Sequence, residues 1–130
     1  MSEVVESAKA AKTADLRVRL KSYAVEIVRL FNVLPRGRED VRVVSKQLLR
    51  SATSVAANHR EACRARSRAE FVSKIEICIQ EADESIFWLE LLRDGCDLRD
   101  LDELLLETNE IISILVATAR TAKRNDAFSS

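Results

Sequence analysis

Two glycines and one proline in 130 residues constrain this chain more than any other feature. Sheets need a tight turn every few residues, and tight turns draw on residues that bend or reverse the backbone cheaply. Three such residues can punctuate only a handful of long segments. The chain is therefore expected to be all-α, and its length is enough for one domain with a core of its own.

Apolar spacing divides the chain into four amphipathic segments. The first carries Leu16, Leu20, Tyr23, Ala24, Ile27, Leu30, Phe31 and Leu34 at three- and four-residue steps, which places them on one helical face. Pro35 ends it, because proline disfavours α geometry in the residue before it. The second, from about Glu39 to Arg64, carries Val41, Val44, Leu48, Ala52, Val55, His59 and Cys63, with small residues through its middle that allow close helix contact. The third, from about Arg68 to Arg93, turns Phe71, Ile75, Cys78, Ile79, Ala82, Ile86, Leu89 and Leu92 inward. The fourth, ending near Ala122, turns in Leu101, Leu104, Leu105, Thr108, Ile111, Ile112, Leu115, Ala119 and Ala122. Short connections make successive helices antiparallel, so the expected architecture is an up-down-up-down four-helix bundle. The bundle should occupy residues 15–124, with a flexible or helical N-terminal tail over 1–14 and a flexible C-terminal tail over 125–130.

Local signals mark the helix ends. Ser67 and Glu70 form a capping box, in which Ser67 takes a free amide of the third helix and Glu70 reaches back to the Ser67 amide. Gly95 fits the left-handed residue that closes that helix, and Asp97 or Asp100 can cap the next. The last turns of the third helix, Ile86-Phe87-Trp88-Leu89-Glu90-Leu91-Leu92, are apolar almost all the way round. One apolar stripe is enough to join a bundle. The second face, with Phe87, Trp88 and Leu91, needs another partner, most simply a second copy of the chain.

Charge is balanced in total but not in place. Residues 1–68 hold 15 Lys/Arg against 7 Asp/Glu, and residues 69–130 hold 6 against 14. The basic first hairpin is expected to pair with the acidic second, within or between subunits. Arg60, Arg64, Arg66 and Arg68 also gather at the turn between the second and third helices, where they could grip phosphates of RNA or DNA. No stretch approaches the length and apolarity of a membrane span or a signal peptide, so a cytoplasmic protein without membrane contact is expected.

Catalytic patterns are lacking. The single histidine, His59, shares a face with Cys63, yet no further ligands stand at metal-site spacing, and a buried or interfacial histidine is the favoured reading. Glu81 and Glu84 resemble half of a di-iron site without its Glu-x-x-His pairs, and pairing with arginines of the basic half is expected instead. The three cysteines match neither a disulfide framework nor a zinc motif; they read as reduced thiols, with Cys78 in the core. No enzyme activity, cofactor or small-molecule substrate is expected.

Gln47, Leu48, Arg50, Ser51, Ser54, Asn58, Glu61 and Ala62 spell Q-L-x-R-S-x-x-S-x-x-x-N-x-x-E-A. With Arg66, Ser67, Glu70 and Phe71, and then Glu81, Glu84 and Trp88, the chain resembles the bacterial four-helix-bundle family of 23S rRNA intervening-sequence proteins. The resemblance covers most of the chain, with weaker matches in the first and fourth helices. It implies a bundle that assembles as a barrel-like homopentamer around a central channel. Some relatives are encoded within insertions in ribosomal RNA genes. Others resemble the accessory variability determinant of diversity-generating retroelements, a basic pentamer that binds a reverse transcriptase and nucleic acid. This chain departs from the latter in having zero net charge. The family supplies no catalytic residue.

Beside that resemblance, the band Gln47, Arg50, Ser54, Asn58 and Glu61 looks like a set of polar groups that meet specific partners across a subunit contact or around a lumen. Together these readings lead to a non-catalytic, self-assembling binding or scaffold protein. The alternative is a nucleic-acid-binding accessory protein, partner of a reverse transcriptase or of ribosomal RNA.

Overall fold

The computed structural model describes the backbone of residues 2–129 and the side chains of residues 15–125. It is built of four helices, α1 (Ser2–Val33), α2 (Glu39–Cys63), α3 (Arg68–Glu90) and α4 (Asp102–Ser129), with a single π-helical turn, Leu91–Gly95, continuing α3. Among the described residues there is no strand. The backbone of the expected N-terminal tail is the first part of α1. The tail expected over 125–130 starts as helix, since α4 continues to Ser129. The side chains of residues 1–14 and 126–130 lie outside the described set.

Contacts across the helices fix the topology. Glu61 meets Lys74, Val55 meets Cys78 and Ser51 meets Ser85, so numbers rise along α3 as they fall along α2, and the two run antiparallel. The helices pack in succession, α1 on α2, α2 on α3 and α3 on α4. Side chains then close the ring between α4 and α1: the Tyr23 hydroxyl bonds the Thr108 hydroxyl at 2.7 Å. The result is the four-helix bundle that the apolar spacing implies.

The core follows the stripes closely. Leu20, Tyr23, Ile27, Val41, Leu48, Val55, Ile75, Leu89, Leu101, Ile111 and Leu115 are among its buried members. The α2–α3 contact is made by small residues. Ser51, Ala52, Cys78, Ala82 and Ser85 are all buried, and with little side chain between them the backbones approach closely enough for Cys78 Sγ to reach the Val55 carbonyl at 3.5 Å. Burial pushes the Cys78 thiol up to about 12 and the Tyr23 phenol likewise to about 12, so both stay protonated as core groups.

The helix ends differ from expectation in four places. The second helix turns Ala62 into the core and leaves Cys63 exposed, because Cys63 falls on its last residue, where the adjoining turn no longer covers it. Ser67 accepts from the Glu70 amide at 3.0 Å as a cap should, but Glu70 returns its bond to the Arg66 amide at 3.2 Å instead of that of Ser67. The third helix stops being α-helical at Glu90, and the wider π turn carries Leu92 and then Cys96 into the core. Gly95 does not take a left-handed conformation. Asp97 and Asp100 do, at φ 58° and 64°, where aspartate is one of the few side chains that tolerates it.

Candidate assembly face

Helical periodicity aligns the polar band of α2 with one flank of α3. Gln47, Arg50, Ser54, Asn58 and Glu61 advance by three or four residues along α2, and Glu81, Glu84, Trp88 and Leu91 do so along α3. Both rows lie beside the α2–α3 seam, on its outer side, just outside the buried Ser51–Ser85 pair.

Arg50 is the centre of the face. Its guanidinium donates to Glu84, to Glu81 Oε2 at 3.3 Å and, through Nε, to Gln47 Oε1 at 3.4 Å. Glu84 Oε1 also accepts from the Trp88 indole N–H at 3.0 Å, which holds the ring along the helix. Trp88 is half-buried, and Phe87 meets it edge to face, with centroids 5.0 Å apart and planes at 61°. Phe87 itself is 52% exposed, with Leu91 half-buried one turn on from it.

Farther along the band Ser54 and Asn58 turn to their own helix. Ser54 Oγ donates to the Arg50 carbonyl at 2.7 Å, and Asn58 Nδ2 to the Ser54 carbonyl at 2.9 Å. Glu61 pairs with Lys74 of α3 at 2.9 Å. The structure thus brings Gln47, Arg50, Trp88, Phe87 and Leu91 to one end of the seam and places Asn58 and Glu61 toward the other. Pairing of Glu81 and Glu84 with the basic half, expected from the charge asymmetry, is present in Arg50. The first and fourth helices repeat it, with Arg19 bonded to Glu107 at 2.6 Å and to Glu110. Those hydrogen bonds hold the Arg19 guanidinium above its ordinary value.

The arginine cluster is a separate surface. Arg60, Arg64, Arg66 and Arg68 are all exposed around the α2–α3 turn, and among the described residues none of the four makes an ion pair. Nineteen residues of helix separate Arg68 from Phe87, about 28 Å along the axis. At the other end of α2, Arg38 pairs with Asp40 and Arg42 with Glu39, while Arg36 makes no ion pair among the described residues.

His59 is 3% exposed, with Cys63 Sγ 3.9 Å from each ring nitrogen. Burial, and then the nearby Arg17 charge, lower its pKa from the usual histidine value, so the imidazole is neutral at pH 7. Among the described residues no group of three His, Cys, Asp or Glu side chains gathers at metal-binding distance. No helix among them is long and apolar enough to cross a membrane.

Two features escaped a reading by dominant stripe. Ser51 and Ser85 bond each other at 2.8 Å inside the core, a polar pair that hydrophobic patterning passes over. Val18, Val25 and Val28 lie exposed on the outer side of α1; their spacings of seven and three were a legible second stripe.

The fold and this face define a small antiparallel four-helix-bundle protein whose polar and aromatic surface lies along one interhelical seam. Residues 14–117 match the 23S rRNA-intervening sequence protein family, and the chain belongs to that family. It is also similar to a crystallised protein of unknown function from the S23 ribosomal protein family of Bacteroides thetaiotaomicron. The two are 35% identical, with a TM-score of 0.77 over 84% of this chain and 98% of that one. No curated protein matches the chain.

Proposed function

We propose that the protein is a non-catalytic, self-assembling binding or scaffold protein, a homopentameric barrel whose subunits meet through the α2–α3 seam. The observation that carries this reading is Phe87, half open to solvent and edge to face with Trp88, whose indole is held by Glu84 and through it by Arg50. Burying an aromatic pair beside a satisfied ion-pair network is how specific interfaces gain most of their energy. The order of five follows the family resemblance. Native mass spectrometry counts the copies: five chains of 14.6 kDa, about 73 kDa, is the expected species. A single 14.6 kDa chain as the dominant species contradicts the reading.

A second reading, a nucleic-acid-binding accessory protein that partners ribosomal RNA or a reverse transcriptase, is favoured by one observation. Four arginines gather at one turn, α2–α3, all exposed and with no carboxylate partner among the described residues. Unpaired guanidinium groups at a turn suit phosphates. Filter binding of a mixed-sequence RNA should weaken steeply as salt rises, and no retention at 20 mM salt rejects it.

A further inference from the structure

A head-to-tail ring needs two different surfaces, one on each side of every contact. The outer side of α3 is one. On α3, Asp83, Phe87 and Glu90 fall within about 60° of arc at 100° per residue, all exposed. Asp83 and Glu90 make no ion pair among the described residues, and the basic side chains of the helix, Arg68 and Lys74, lie outside the arc.

The outer side of α1 is its complement. Val18, Lys21, Val25, Val28 and Arg29 occupy about 100° of arc opposite the buried Leu20, Tyr23 and Ile27. Val18 is 66% exposed, Val28 41% and Val25 37%. Three β-branched apolar residues aligned in the open on one helix form a ridge that no described residue of the same chain covers. Lys21 and Arg29 bracket Val25 and Val28 along the helix, with Val18 one turn beyond Lys21, and make no ion pair among the described residues, while the described acids of α1, Asp15 and Glu26, lie outside the arc.

We infer that the basic valine ridge of α1 docks on the acidic phenylalanine face of α3 in a second copy of the chain. The inference rests on the self-assembly reading and deepens it by naming the opposing surface. Two relationships select a second copy as the occupant. Each face carries an apolar centre with charges at its edges, and the charges are opposite in sign. The charge spacings also match: Lys21 and Arg29 stand about 12 Å apart along α1, and Asp83 and Glu90 about 10.5 Å apart along α3, so helices lying side by side engage both pairs together. The valines would cover Phe87, the part of the aromatic edge that its own subunit leaves open. Complementary charges then set which face meets which and disfavour contacts between like faces.

Charge reversal with rescue tests this on the full chain, with helical content followed by circular dichroism. Lys21→Glu with Arg29→Glu should raise the concentration for half-assembly at least about tenfold, and so should Asp83→Lys with Glu90→Lys. All four changes in one chain restore opposite signs across the contact and should return assembly to near the wild-type concentration. Val25→Asp, which removes the ridge without reversing a charge, should also disperse the assembly. If the α1 variants assemble like wild type while Phe87→Asp disperses them, or if the fourfold variant stays dispersed, the α1–α3 pairing is wrong and self-assembly stands. A wild-type chain that is monomeric at every concentration removes both.

Discussion

Ser51 of α2 and Ser85 of α3 share a buried hydroxyl–hydroxyl bond of 2.8 Å, among the small residues that line the α2–α3 contact. Each also donates or can donate to its own helix, Ser51 to the Leu48 carbonyl at 3.3 Å and Ser85 to the Glu81 carbonyl at 2.8 Å. Small size and mutual satisfaction together allow the seam to close. The candidate assembly face lies directly outside it, so the spacing of α2 and α3 sets the reach of Arg50 to Glu81 and Glu84.

Enlarging that contact should cost more than removing the hydroxyl. Ser85→Ala leaves Ser51 its Leu48 bond and should cost about 1 kcal/mol. Ser85→Val adds volume where none is free and should cost about 1–3 kcal/mol. Urea unfolding midpoints of the two variants decide the order, and a Val variant as stable as the Ala variant shows that the seam has slack.

The Ser67 cap is a local device with a local cost. Ser67→Ala removes the acceptor for the Glu70 amide and should destabilise the fold by about 1 kcal/mol, while Ser67→Asp should be nearly neutral. Thermal unfolding of both variants measures it.

Acid sensitivity should trace in part to His59. Its pKa in the fold lies below the usual value of about 6.5, first from burial and then from Arg17. Between those two values the unfolded chain binds a proton that the folded chain does not, so stability falls as pH drops below about 6.5. Unfolding free energies measured from pH 7.5 to 5.5 should decline in the wild type and flatten in His59→Gln. Equal slopes in both would place the pH response elsewhere.

Trp88 is the only tryptophan, which makes it a reporter on the proposed interface. Trp88→Ala should weaken assembly by about 2 kcal/mol or more. In the wild type, dilution through the dissociation range should shift its emission to the red and raise iodide quenching. An emission maximum unchanged while the mass falls would show that the interface excludes it.

Much of the fold was legible before any coordinates. Periodicity marked nearly every core position from Leu20 to Ala119, because a helix buried on one side must repeat its apolar residues at three and four. The cap at Ser67 was legible for the same reason, being a short-range pattern. What was not legible depended on neighbours. Ser51 and Ser85 are buried only because they face each other. Whether Cys63 or Ala62 turns inward depends on where α2 stops. The turn after α3 placed its positive φ angles on Asp97 and Asp100, since a π turn at Leu91–Gly95 carried the chain past the point where Gly95 would have served. On the candidate face, the apolar surplus at Phe87 and Trp88 and the pairing of Glu84 with the basic half could be read from residue types. The choice of Arg50 as the partner needed the helices in place.

Light scattering of the full chain, diluted from about 100 to 1 μM, addresses self-assembly most directly. Assembly through the α2–α3 seam predicts a mass near 73 kDa, five times 14.6 kDa, at the upper end. A constant 14.6 kDa across the whole range contradicts it.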